Sequence, residues 1–275
     1  MDQINGTKKT RMKNEKPPLL EFNRLTVVKG GRKVLDSLSL KIYEGDNMAI
    51  LGPNGAGKSS LIKVITKEYY PIHADKSCSF WIWGQDQWNV FELRKLLGIV
   101  SNDLQAACTR DTSGLDVVLS GFFSSIGLYK ERLTPKMKKK AQEAIDFLEI
   151  RPLQHRNMNE MSSGEARRFL IARALVHAPK ALILDEPTNN LDLHAMYKFT
   201  DMIRKITKSG TSVILVTQNL SDIIPEIKRV ILMKGGKLYQ DGAKDSVLTS
   251  GNISKLFGSP VEITTKKGYY YALRA

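Results

Sequence analysis

Residues 46–60, Asp-Asn-Met-Ala-Ile-Leu-Gly-Pro-Asn-Gly-Ala-Gly-Lys-Ser-Ser, concentrate the chemistry of the 275-residue chain. Gly52-x4-Gly57-Lys58-Ser59 fits the P-loop pattern at every fixed position. Across Gly52, Pro53, Asn54, Gly55, Ala56 and Gly57 the glycines let the backbone curl, turning N–H groups inward on phosphate oxygens. Lys58 would reach the β- and γ-phosphates, and the Ser59 hydroxyl would hold Mg²⁺. Ser59, Ser60 and Leu61 open a helix whose positive end faces the same anion. These residue types in this order predict a nucleoside triphosphate site.

A second anion-friendly segment is Met161-Ser162-Ser163-Gly164-Glu165, directly before a helix expected to start near Ala166. Taken alone it is only a good helix cap. Its place adds meaning, because Glu165 lies twenty residues before Asp185 (185 − 165) and the segment follows the P-loop by about a hundred. Lys180-Ala-Leu-Ile-Leu-Asp185 reads as a buried strand ending in a carboxylate.

These groups need elements to bring them together. Leu19–Val28 and Val34–Ile42 read as strands joined by the Lys29-Gly30-Gly31-Arg32 turn, an antiparallel hairpin. Met48–Leu51 is the apolar strand entering the P-loop. Ser77–Trp83 is aromatic-rich and reads as a further antiparallel strand, and Leu97–Val100 as a short buried one. The pattern is helical from Asp103 to Leu148, Arg151–Asn159 is a polar linker, and Arg167–Val176 reads as an amphipathic helix. His194–Lys208 is helical, Ser212–Val216 is buried strand, and Lys228–Lys234 with Lys237–Tyr239 forms a hairpin over Gly235-Gly236. Strands alternating with helices around a P-loop imply an α/β fold with a mostly parallel central sheet covered on both faces. The early antiparallel strands form a β-subdomain and the helices of about 103–175 an α-subdomain, within one domain spanning 19–275.

In order and spacing the chain resembles the nucleotide-binding subunits of ATP-binding cassette (ABC) transporters from about Leu19 to Ala275. Gly52–Ser60 matches the Walker A motif of that family. Met161–Glu165 resembles its LSGGQ signature, with departures at the first, third and fifth positions. Ala181-Leu-Ile-Leu-Asp-Glu-Pro187 matches Walker B with the following glutamate, and Asn190-Leu191-Asp192 resembles the D-loop. The resemblance implies the P-loop NTPase ABC ATPase fold, with ATP and Mg²⁺ as ligands. Asp185 would hold Mg²⁺ through its coordination shell, and Glu186 would polarise the water attacking the γ-phosphate. It also implies a head-to-tail homodimer with two ATP molecules sandwiched between Walker A of one protomer and the signature of the other. Ser162, Ser163, Gly164 and Glu165 would then serve the partner's ATP, and Asp192 would communicate between the sites.

Three positions depart from the family pattern. The switch histidine is replaced by Gln218, which can hydrogen-bond a phosphate oxygen but carries no charge, so turnover is expected to be reduced. The Q-loop glutamine falls at Asn102, while Gln105 lies three residues on. Either amide could meet Mg²⁺ or the attacking water; position favours Asn102 and residue type favours Gln105. The aromatic that stacks on adenine is replaced by Lys29, leaving Phe22 as the alternative stacking group.

Composition bounds the function further. Hydrophobic residues make up 42% and charged residues 25%, as in ordinary soluble domains, and no apolar run approaches the length of a membrane span. Residues 1–18 are polar and basic, unlike a signal peptide, and read as a flexible tail. Cys78 and Cys108 have no metal-ligand spacing and imply no disulfide framework. The net charge of +14 suits nucleic acid or an anionic membrane surface. Its local runs are Lys8–Lys16 and Lys136–Lys140, the latter reading as a solvated helix face.

Asp116-Val-Val-Leu-Ser-Gly121, Gly127-Leu-Tyr129, Asn190–Leu193, Val247-Leu-Thr249 and Leu256-Phe-Gly258 resemble importers of metal chelates, iron–siderophore complexes and vitamin B12. Ile223–Glu226 resembles the molybdate-type ATPases. The expected function is therefore the ATPase subunit of a multi-subunit importer. It would be docked on integral-membrane permease subunits through its α-subdomain, cytoplasmic and peripheral to the inner face of the membrane. Two other classes stay open: a soluble ABC ATPase acting on the ribosome or nucleic acid, and a nucleotide-binding regulator with little turnover. Against the former, the chain carries a single cassette and no sustained heptad run, so nucleic acid is not the expected partner.

Overall fold

A computed structural model describes residues 17–72, 78–128 and 132–275. The basic residues 1–16, Ser77 and Tyr129 lie outside them. The order of elements begins β1 (Leu20–Lys29), β2 (Arg32–Ile42), β3 (Met48–Leu51), α1 (Lys58–Ile65), β4 (Ser79–Ile82), α2 (Val90–Leu96) and β5 (Leu97–Val100). It continues with α3 (Asn102–Cys108), α4 (Gly114–Ser120), α5 (Pro135–Phe147), α6 (Ser163–Leu175), β6 (Ala181–Asp185), α7 (Leu193–Lys208) and β7 (Ser212–Thr217). β8 (Arg229–Lys234), β9 (Lys237–Ala243), α8 (Lys244–Val247), α9 (Ser250–Phe257), β10 (Val261–Lys266) and β11 (Tyr269–Arg274) complete it.

Among the described residues the central sheet has six strands in the order β5-β6-β7-β3-β8-β9. All neighbours are parallel except β9, which returns antiparallel on β8 over Gly235-Gly236. Met48–Leu51 and Ser212–Thr217 are buried throughout, as a parallel sheet covered on both faces requires. β1 pairs antiparallel with both β2 and β4 in a separate three-stranded sheet. One apolar cluster lies between that sheet, α1 and the central sheet; the other joins the central sheet to α4, α5, α6 and α7.

Register explains why residues far apart in sequence converge. Leu51 lies beside Thr217, Asp185 beside Val216, and Val100 beside Leu184. The carboxyl ends of β3, β6, β7 and β5 therefore share one sheet edge, where α/β sheets open their binding crevice. The P-loop, Asp185-Glu186, Gln218 and Asn102 each leave from that edge.

Two expectations are corrected here. The helix after the signature begins at Ser163, not near Ala166, because Ser162 and Glu165 form a capping box. That helix is also not amphipathic: Ala166, Arg167, Phe169, Leu170, Ile171, Ala172 and Ala174 are all buried, so it is surrounded by the fold. The hairpin β10–β11 closes over Lys267-Gly268, both with positive φ, the backbone of a tight two-residue turn. Among the described residues, no helix is long and apolar enough to cross a membrane.

Candidate active site

The P-loop is shaped by close approaches that only glycine tolerates. A Cβ on Gly52 would lie 2.4 Å from the Met233 carbonyl oxygen, and one on Gly57 (φ +101°) 2.7 Å from that of Val34. Gly57 is also the N-cap of α1 and offers no side chain to its first N–H groups, which leaves that helix end free for an anion.

Lys58, nearly buried, donates from Nζ to the carbonyls of Gly52 (2.7 Å) and Pro53 (3.2 Å) and pairs with Glu186 Oε1 at 3.2 Å. Glu186 is no solvated loop charge. It is buried at 9% exposure in a strained conformation (φ +46°), and its N–H donates to the Val216 carbonyl at 2.7 Å. Its Oε2 accepts from the backbone N–H of Gln218 at 3.2 Å, so the switch position touches the candidate base directly.

Asp185 tests whether the site fits a cation. Its Oδ1 is buried without a hydrogen-bond partner, and the Ser59 hydroxyl lies near enough to the same carboxyl to favour its charged form. Burial first, and the neighbouring Glu186 second, push its pKa up to about 6. An orphaned carboxylate oxygen beside a serine hydroxyl is a donor set suited to a hard divalent ion, and Mg²⁺ fits it. A cleft of about 540 Å³ is lined by Ser59, Asn102 and Asp185 and also by Leu93, Arg94 and Arg173.

The signature segment does not meet its own P-loop. Ser162 Oγ accepts from Glu165 N–H at 3.3 Å while the Glu165 carboxylate accepts from Ser162 N–H at 2.8 Å. That hydrogen bond to the backbone holds the Glu165 carboxyl below the ordinary carboxylate range. Ser163 Oγ donates to the Asn190 carbonyl at 2.9 Å, and Gly164 packs against Ala195 and Leu191 so closely that a Cβ would sit 3.1 Å from Ala195. Asp192 caps α7, its Oδ1 accepting from Ala195 N–H at 2.8 Å. Among the described residues, no hydrogen bond links 161–165 to 52–60.

One stacking expectation fails. Phe22 is fully buried against Phe80, with ring centroids 4.6 Å apart and planes 2° from parallel, so it cannot take a base. Lys29 instead holds its Nζ 5.2 Å from the centre of the Tyr69 ring, an aromatic that the sequence reading passed over.

Two further groups escaped that reading. Arg167, 4% exposed, donates to both Asn102 Oδ1 and Gln105 Oε1, each at 3.0 Å. Asp222 accepts from the hydroxyls of Thr188 and Thr217 behind Gln218, and burial raises its pKa. A buried charge is the signal for both, and it cannot be recognised before burial is known.

Comparison with known proteins gives the site its family. The ABC transporter family matches residues 35–189, more than half of the chain. The uncharacterized ABC transporter ATP-binding protein YlmA of Bacillus subtilis is 30% identical over 262 residues, covering 94% of this chain and 97% of its own. The hemin import ATP-binding protein HmuV of Photobacterium profundum is 30% identical over 246 residues, covering 88% and 85%. Among solved structures, cbiO1 of Clostridium perfringens, part of the ABC transporter complex cbiONQ, superposes with a TM-score of 0.73 at 24% identity, covering 88% of this chain and 94% of that one. The cassette MJ0796, solved as a dimer in a post-hydrolysis state with ADP and Pi, gives 0.66 at 24%, covering 82% and 98%. With its P-loop, cation-ready Asp185 and buried Glu186 brought to one sheet edge, the chain belongs to the ABC transporter family as an ATP-binding subunit, an ATPase that uses Mg²⁺.

Proposed function

We propose that the protein drives solute import as one of two identical ATPase subunits, seated at the cytoplasmic face of a membrane against separate permease subunits. The observation that carries the dimer is the separation of signature and P-loop within one chain. Ser162, Ser163 and Gly164 sit at a helix end tied to 187–190, so their anion-binding chemistry is open to a second copy. In that arrangement Gly52–Ser60 of one protomer and the signature of its partner enclose each ATP.

Within the site, Lys58 exchanges Glu186 and its two loop carbonyls for the β- and γ-phosphates. Glu186, thereby released, accepts a proton from the water whose oxygen attacks the γ-phosphorus; the bond to the β–γ bridging oxygen breaks, ADP leaves, and the proton passes on to phosphate. Ser59, Asp185 and an amide of the 102–105 segment would hold Mg²⁺, whose charge would neutralise that of the phosphates. Gln218, whose N–H already holds Glu186, orients that carboxylate and offers a neutral amide to the γ-phosphate. In this reading the helices of about 103–175 are the α-subdomain, and a permease segment docks at the end of the cleft away from Ser59 and Asp185, where Leu93 and Ile126 supply apolar wall and Arg94 and Arg173 charge.

The likeness to the hemin importer, with the importer-type matches in the sequence, supports import of a metal chelate, a siderophore complex or a corrinoid. The test is to tag the protein in its native cell and identify what co-purifies from gently solubilised membranes. A stoichiometric multi-span membrane protein is expected. Recovery with ribosomes or nucleic acid, which the +14 charge would attract, and no membrane subunit would overturn the reading.

A further inference from the structure

We infer that Arg167 is a positioning residue of the ATP cycle, locking the signature segment to the metal-side segment of the same chain and dividing the roles of Asn102 and Gln105. The inference rests on the dimer reading above. Arg167 projects from the second turn of α6 into a nearly dry site, where an unpaired guanidinium would be costly. It satisfies that charge with four oxygens. Nε donates to Gln105 Oε1 (3.0 Å) and Nη2 to Asn102 Oδ1 (3.0 Å), while Nη1 donates to the carbonyls of Pro187 and of Asn189 (3.2 Å).

Two more bonds close a ring. Gln105 Nε2 donates to the Ser163 carbonyl at 3.4 Å, and Ser163 Oγ donates to the Asn190 carbonyl. Segments 102–105, 163–167 and 187–190 are thus joined around one planar fork, which no lysine could replace because an ammonium lacks the fixed spread of donors. Within the ring the two amides are not equivalent. Asn102 lines the cleft beside Ser59 and Asp185, whereas Gln105 is absent from its lining and spends its NH₂ on the signature backbone. A metal takes an amide only through oxygen. Asn102 is therefore the residue that can turn its oxygen from Arg167 to the cation, and Gln105 the one that passes the position of Arg167 to Ser163.

The experiment uses the full chain carrying Glu186→Gln, with dimer formation followed by sedimentation against ATP concentration in Mg²⁺, and monomer affinity read with a fluorescent ATP analogue. Adding Arg167→Lys or Gln105→Leu is expected to raise the ATP midpoint for dimerisation about fivefold or more, the worth of a lost buried hydrogen bond or two. Monomer affinity should be unchanged, and thermal unfolding lowered only by the cost of one unpaired buried donor, with the protein still folded at the assay temperature. Adding Asn102→Ala should instead shrink the gain in monomer affinity that Mg²⁺ brings, a gain that Gln105→Leu leaves intact. If Arg167→Lys fails to fold, Gln105→Leu carries the test. A folded Gln105→Leu protein with an unshifted midpoint, or one that loses the Mg²⁺ gain as Asn102→Ala does, overturns the inference alone. A Glu186→Gln parent that stays monomeric at saturating ATP overturns the dimer reading, and the inference falls with it.

Discussion

Asp185 carries a cost in the absence of a cation. Its pKa lies at about 6 in the folded chain against an ordinary 3.8, so on raising the pH the unfolded state gives up this proton first. The folded state then loses stability between about pH 4 and pH 6, by an amount on the order of 1–3 kcal/mol. In Mg²⁺-free buffer at pH 7.5, Asp185→Asn is expected to raise the urea midpoint, with the difference vanishing near pH 4. A midpoint that is lowered at pH 7.5 would contradict this account of the site. At Gln218 the substitution Gln218→His adds a chargeable group beside Glu186, and we expect steady-state ATPase measurements to show higher kcat. Residue types and spacing marked the P-loop and the carboxylate of Asp185 at a strand end, and the family resemblance marked Glu186; the structure brings all three to one sheet edge. Lys58 pairing with Glu186, Phe22 stacking on Phe80, and Arg167 bonding Asn102 and Gln105 depend on partners 58 or more residues away, and local pattern holds no trace of them.

The elements that position the site depend on α6 and its contact with α4. Phe169 is fully buried, and a Cβ on Gly114 would lie 2.6 Å from its ring, so the two helices touch across a residue without a side chain. Phe169→Ala should cost about 3–5 kcal/mol in chemical denaturation. Gly114→Val should also destabilise, since a Cβ there already overlaps the packed Phe169 ring. The buried strands were legible because parallel strands covered on both faces must be apolar throughout, as Ala181–Leu184 is. The start of α6 was misplaced by three residues although Ser162 and Glu165 spell a capping box, because the apolar run that draws the eye begins later. The pair β10–β11 left little sequence signal, since its strands are largely exposed and their register is set by a turn rather than by a buried face.

At the scale of the whole molecule, the fold gathers the P-loop, Asp185 and Glu186 at one sheet edge and holds the signature segment apart from them at the start of α6. Charge is the least specific of the whole-chain signals: Lys136, Lys138 and Lys139 are exposed on α5, an arrangement equally natural for a solvated face. Family membership was legible from four motifs in order, whereas the transported solute was not, because none of the site residues would touch it. The most direct measurement is the mass of the Glu186→Gln protein in solution with and without Mg²⁺ and ATP. Removing the proton acceptor should slow turnover by about 10²-fold or more while leaving nucleotide binding intact. The account predicts a monomer without nucleotide and a stable dimer holding two ATP molecules at saturation. A protein that binds ATP through its P-loop and remains monomeric would contradict it.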